Sequence, residues 1–180
     1  MPLSAAAWGA EYLEDISHRR LVLEYYDREH IPLRRYVLFL GLDAESCGEI
    51  VQETFLRLHE HLLAGGDQTN LRAWLFRVAH NLARNSQTAF PASRTDPLAD
   101  VTSRGDLPAR ADSAEDELLA KERMQRLGHA MEQLSAAQRG CLILRSQGLK
   151  YREIADVLKI GISTVGENIQ RGLDRLRELL

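Results

Sequence analysis

The sequence predicts an all-α protein: two small helical domains joined by a flexible acidic linker, the second a four-helix unit with a helix-turn-helix. Three observations predict it. Apolar residues fill 44% of the 180 positions, with 6% aromatic, and recur at steps of three and four with strand-like alternation nearly absent. Between Phe90 and Glu115 that periodicity stops, and Pro91, Pro97, Gly105 and Pro108 stand among scattered Ser, Thr and Asp. Residues 148–176 then carry two short apolar stripes split by Lys159-Ile160-Gly161, where glycine suits a tight turn between steeply crossing helices.

In chain order, a first helix is expected over Glu11 to Glu29. It should give way at Ile31-Pro32, because the residue before proline disfavours α geometry, and Pro32 can open a short helix to Leu40. A longer helix follows over Ala44 to Leu63. Its inner face is Val51, Phe55, Leu58 and Leu62; nearly opposite, Glu49, Gln52, Glu53 and Leu56 form an acidic-amide patch around a leucine. Gly65-Gly66-Asp67-Gln68 makes a loop. The next helix, Leu71 to Gln87, turns Leu71, Trp74, Leu75, Val78 and Leu82 inward, while Arg77, His80, Asn81 and Arg84 line a flanking face with Arg72 at the start. Arginines beside amides suit contacts to nucleic-acid backbone and bases.

From 91 to 117 seven acids face three arginines with no apolar period, a composition that cannot bury a core. The resulting division is 1–90, a first helical domain; 91–114, the linker; and 115–180, the second domain. There Leu127, Ala130, Met131 and Leu134 end a helix, and Ser135 with Gln138 forms a capping box for the next, which stops near Gly148. Tyr151, Ile154, Ala155 and Leu158 stripe the short helix that follows. Ile162, Val165, Ile169, Leu173, Leu176 and Leu180 stripe the last, whose other face carries Thr164, Glu167, Asn168, Arg171 and Arg175.

Composition excludes several classes. A net charge of −3 rules out a protein that coats nucleic acid through bulk positive charge, so any DNA contact must come from local patches. The start, MPLSAAAWGAEYLED, is not a secretory signal, and no run approaches a membrane span; neither leader nor direct membrane insertion is expected, and the chain should be cytoplasmic. Cys47 and Cys141 match no CxxC pattern and read as buried free thiols. His59 and His61 are two apart on a helix and cannot share a metal there, and no nucleotide loop or nucleophile motif occurs. No metal, cofactor, small-molecule substrate or catalytic residue is expected.

Three segments carry a family resemblance. EIVQETFLRLHEHL (Glu49 to Leu62), NLRAWLFRVAHNLARN (Asn70 to Asn85) and LSAAQRGCLILRSQGLKYREIADVLKIGISTV (Leu134 to Val165) stand in an order that resembles the extracytoplasmic-function (ECF) class of bacterial RNA polymerase sigma factors. The resemblance implies that 1–90 is a sigma domain 2-like unit for polymerase core binding and minus-10 recognition and melting, and 115–180 a sigma domain 4-like unit for the minus-35 element. It implies core contacts by Glu49, Gln52, Glu53 and Leu56 on the clamp helices of the largest subunit, with the flap region as a second polymerase surface. It implies minus-10 contacts by Asn70, Arg72, Arg77, His80, Asn81 and Arg84, beside a loop, Ala64 to Thr69, that takes an unstacked base. It implies minus-35 contacts by Tyr151, Arg152, Ser163, Thr164, Glu167, Asn168 and Arg171. An anti-sigma factor is a further partner usual in the family. Gly166 and Glu167 depart from the family pattern, since a basic and a small polar residue are more usual there. The competing reading is a helix-turn-helix regulator that binds duplex DNA without polymerase core; E-x-x-Q-E followed by W-L-x-R-x-A-x-N in the first half argues against it.

Overall fold

The computed structural model describes residues 5–89 and 114–180, with side chains described from Glu14 to Gln87 and from Leu118 onward. Among these residues it is all-helical: α1 (Ala5–Phe39), α2 (Ala44–Leu63), α3 (Leu71–Ala89), α4 (Ala114–Glu132), α5 (Ala136–Ser146), α6 (Tyr151–Leu158) and α7 (Ile162–Leu179). The expected acidic linker, apart from Ala114, lies outside the described residues.

Local chemistry explains several boundaries. Asp43 caps α2, accepting from the Ser46 amide at 2.9 Å and the Ser46 hydroxyl at 2.9 Å, and both bonds hold its carboxyl below the usual range. Ser135 and Gln138 form the capping box at α5, with the two reciprocal bonds at 3.2 and 3.0 Å. Gly148, at φ 85°, ends the turn after α5, a left-handed value that suits glycine.

The break expected at Ile31-Pro32 does not occur. α1 continues through Pro32 as one 35-residue helix. An interior proline costs about 3 kcal/mol. Beyond it Leu33, Tyr36, Val37 and Leu38 are fully buried. Each such burial contributes ~1.5–3 kcal/mol, so packing outweighs the local preference.

The turn of the helix-turn-helix also differs from expectation. The left-handed residue is Lys159 (φ 55°), while Gly161 is extended at φ −69° and ψ 151° and stands at the start of α7. The two stripes shift as well. On α6, Ile154, Ala155 and Val157 are buried, whereas Tyr151 is exposed beneath the Arg145 guanidinium, 5.6 Å from its ring centre. On α7 the buried line is Val165, Ile169 and Gly172 with Leu176 half-buried; Ile162, Leu173 and Leu180 are exposed. Gly172 explains the rotation. A Cβ there would lie 2.8 Å from Leu142 Cδ1, so α7 turns its smallest residue to α5 to approach closely.

Gly166 has no such reason. Among the described residues, and leaving out its own helix backbone, an added Cβ would meet Tyr151 Cε2 alone, at 3.7 Å. Gly166→Ala is therefore expected to raise stability by about 0.5–1 kcal/mol through helix propensity, read as a higher urea midpoint. A lower midpoint would show that the Tyr151 ring needs that space.

One apolar core joins the two helical groups. Leu33, Val37, Phe55, Leu75 and Phe76 belong to the same buried cluster as Leu144, Ile154, Val157, Val165 and Ile169. α1 packs on α2 and α3, α5 packs on α6 and α7, and α3 lies against α6.

Candidate protein-docking and nucleic-acid interface

The acidic-amide face of α2 is on the surface. Gln52 and Leu56 (53% exposed) line a cleft between α1 and α2 of about 670 Å³, whose other wall carries Val22, Leu23 and Tyr26. Leu23 is 63% exposed, an apolar side chain held out to solvent. The cleft is pre-shaped: Tyr26 stacks on His30 at 4.7 Å and meets Phe55 edge-on at 5.0 Å. Glu49 and Glu53 stand beside the cleft rather than in it, and Glu53 pairs with Arg57 at 2.7 Å. An apolar floor with a charged rim is the anatomy of a protein-docking surface. The α1 wall was not anticipated. Leu23 and Tyr26 are three apart on one helix face, a spacing that core and docking residues share.

The face of α3 divides differently from expectation. Arg77 and Arg84 are exposed and Asn81 half-buried, at helical spacing along one side. His80 leaves that face. It is buried, and its Nδ1 shares a 2.7 Å hydrogen bond with the Tyr36 hydroxyl. Phe76, Ala79 and Ala83 are buried with it, whereas Trp74, Val78 and Leu82 of the expected inner face are only partly covered. The reason is that α3 has neighbours on two sides, α1 and α2 on one and α6 on another. Arg72 donates from Nε to the buried Glu29 carboxylate at 2.9 Å. Asn70 Oδ1 accepts from the Ala73 amide at 3.3 Å, and its Nδ2 donates to Glu153 Oε1 on α6 at 2.9 Å.

The loop before α3 is ordered by its own side chains. Asp67 accepts from the Thr69 amide at 3.0 Å and the Thr69 hydroxyl at 2.9 Å, which keeps its carboxyl below the usual range. The His61 ring stacks on Trp74 at 4.8 Å and bonds through Nε2 to the Asp67 carbonyl at 3.0 Å.

Burial, then the nearby Arg84 and Lys159, push the His80 pKa down to about 4 from an ordinary 6.5. A histidine with a depressed native pKa contributes fully above the unfolded pKa, and its stabilisation is lost as pH falls from 6.5 toward 4. That window corresponds to up to about 3 kcal/mol, at ~1.36 kcal/mol per pKa unit. Stability measured by urea titration should fall across it, and His80→Gln should flatten the fall. An unchanged slope in the variant would place the proton uptake elsewhere.

In the C-terminal group all but one of the expected contact residues are exposed. Tyr151 and Arg152 are exposed on α6, and Ser163, Thr164, Glu167 and Arg171 are exposed on α7. Asn168 is half-buried and donates to the Thr164 carbonyl at 2.8 Å. Glu167 is not an isolated acid: Arg171 Nη2 stands 3.4 Å from its carboxylate. Ser163 and Thr164 present the N-terminal end of α7, where free amides and the helix dipole favour a phosphate.

These surfaces fall largely within two matched family segments. Residues 25–88 match the Sigma-70 region 2 family, and residues 124–176 match the Sigma-70, region 4 family, together well over half of the chain. The chain is also 33% identical over 164 residues to the ECF RNA polymerase sigma factor SigL of Mycobacterium tuberculosis, covering 87% of each. The chain belongs to the ECF class of RNA polymerase sigma factors. It is 27% identical over 158 residues to the RNA polymerase sigma factor SigZ of Bacillus subtilis, covering 87% of this chain and 85% of that one. Its fold is shared with the sigma factor RpoE of Bartonella quintana, solved in complex with the anti-sigma factor NepR, at a TM-score of 0.60 and 23% identity over 87% of this chain and 96% of that one. As an ECF sigma factor the chain is a transcription initiation factor that directs RNA polymerase to promoters. The region 2 match takes in most of the α1–α2 cleft and nearly all of α3; the region 4 match takes in the helix-turn-helix.

Proposed function

We propose that this sigma factor divides its work between the surfaces described above. The α1–α2 cleft docks polymerase core, with Gln52 and Leu56 inside it and Glu49 and Glu53 on its rim. Arg77, Asn81 and Arg84, with Asn70 and Arg72 at the head of α3, track the separating minus-10 strands, and the Asp67 loop beside them receives an unstacked base. Ser163, Thr164, Glu167, Asn168 and Arg171 meet the minus-35 major groove, with Tyr151 and Arg152 toward phosphates. His80 serves the fold rather than the DNA. Residues 1–90 and 115–180 act as the two functional domains, and the chain works in the cytoplasm by binding alone, without cofactor or catalysis. An anti-sigma protein competing for the cleft would be its natural control.

The observation that carries this reading is the exposed apolar cleft, which a regulator binding only duplex DNA has no use for. No helix among the described residues is long and apolar enough to cross a membrane. The test is co-elution of the chain with purified bacterial core polymerase, wild type against Glu53→Arg. Saturable binding weakened by the substitution is expected. Absence of binding by the wild type, with sequence-specific duplex binding retained, would favour the regulator reading.

A further inference from the structure

His61 ties together three pieces of chain around the loop between α2 and α3. It belongs to the last turn of α2, where its backbone carbonyl accepts from the Gly66 amide at 2.8 Å and the Leu62 carbonyl accepts from the Gly65 amide at 3.0 Å. That pair of bonds, with Gly65 left-handed at φ 70°, closes α2 and starts the loop. The His61 side chain then reaches the middle of the loop. Its Nε2 must carry the proton, because the Asp67 carbonyl 3.0 Å away can only accept. Its ring stacks on Trp74, in the first turn of α3, at 4.8 Å and 29°. Gly66 makes room for this ring: a Cβ there would overlap its Cε1, Nδ1 and Nε2. No residue between Leu62 and Leu71 is buried, so the middle of the loop has no core anchor, and the His61 ring supplies one.

We propose that His61 is the positioning residue of the loop that receives the minus-10 base. Its ring, set between the Asp67 carbonyl and Trp74, holds the loop in its receiving shape before DNA arrives, and position 66 must be glycine to admit that ring. The proposal rests on the assignment of this loop to an unstacked base. A loop of exposed residues with two adjacent glycines has many shapes of similar energy, and a base entering it must select one. Fixing the shape beforehand removes that ordering cost from binding and keeps the loop's polar groups at set distances from the base edge. Such fixed distances are what let a site tell one base from another. His61 touches no base itself; it acts through the loop.

The test uses the full chain assembled with purified bacterial core polymerase and a short single-stranded DNA library of random sequence, with the bound fraction sequenced. Gln68 is exposed in the loop itself, so Gln68→Ala identifies the captured position as the one whose base preference it lowers. His61→Ala should bind core as the wild type does, yet flatten the preference at that position by about tenfold, the discrimination of one well-placed contact, with other positions unchanged. Gly66→Ala should do the same by driving the ring off Trp74, and adding it to His61→Ala should have no further effect. With an abasic nucleotide at the captured position, wild type and His61→Ala should bind equally. Thermal midpoints check that the variants fold. Unaltered preference in a folded His61→Ala would overturn the proposal, and so would an even loss at every position, the mark of a ring that only supports the fold. Failure of the loop assignment is distinct: Gln68→Ala would then leave every position unchanged. Flattening by Gln68→Ala but not by His61→Ala would overturn the positioning role alone.

Discussion

Leu23→Asp combined with Leu56→Asp should lower affinity for RNA polymerase core by at least ~100-fold while leaving the fold intact. Both leucines project into the α1–α2 cleft and are 63% and 53% exposed in the free chain, so the folded monomer loses little when they become acidic. A docked partner would bury them. Each leucine lost removes ~1.5–3 kcal/mol of transfer free energy, and each carboxylate adds a desolvation cost. The sum exceeds ~3 kcal/mol, and ~1.4 kcal/mol is a factor of ten. Fluorescence anisotropy with labelled chain and purified core measures this, with the thermal midpoint as the check on folding. Wild-type affinity in a folded double variant would move the docking surface off the cleft.

The second large effect concerns Arg72. Its guanidinium is the partner of Glu29, whose side chain is 9% exposed, and it is also assigned to the minus-10 strands. Arg72→Ala should therefore do two things at once. Stranding a buried carboxylate costs ~3–5 kcal/mol when both groups are buried, and the partial exposure of Arg72 reduces that to about 2 kcal/mol. Promoter opening should fall as well. Pairing the change with Glu29→Gln separates the two roles, because a neutral amide removes the stranded charge. The double variant should regain most of the lost stability in urea titrations yet remain defective in open-complex formation, followed by permanganate reactivity of unpaired thymines. Recovery of both together would make Arg72 a structural residue only.

Much of this molecule was legible where the determinants are local. The helix over Ala44 to Leu63 has the bounds its periodicity predicts, and the Ser135–Gln138 capping box forms as its spacing requires. The acidic-amide patch of α2 was found because it lies opposite a clear core stripe. What was not legible depended on distant partners. Pro32 fails to break α1 because Leu33, Tyr36, Val37 and Leu38 are buried beyond it, a packing gain that no window around the proline contains. His80 was assigned to a solvent face because helical spacing shows one apolar stripe on α3; its second cover comes from residues far along the chain. The Leu23–Tyr26 wall had the same defect. An exposed apolar residue and a buried one look alike until the partner helix is placed.

The most direct test of the central claim is transcription in vitro from total genomic DNA, using purified bacterial core polymerase with and without the chain, and sequencing the RNA 5′ ends. A promoter-directing sigma factor predicts a set of start sites present only with the chain, each preceded by two shared sequence elements at a fixed separation. Identical start sites with and without a folded chain would contradict the account.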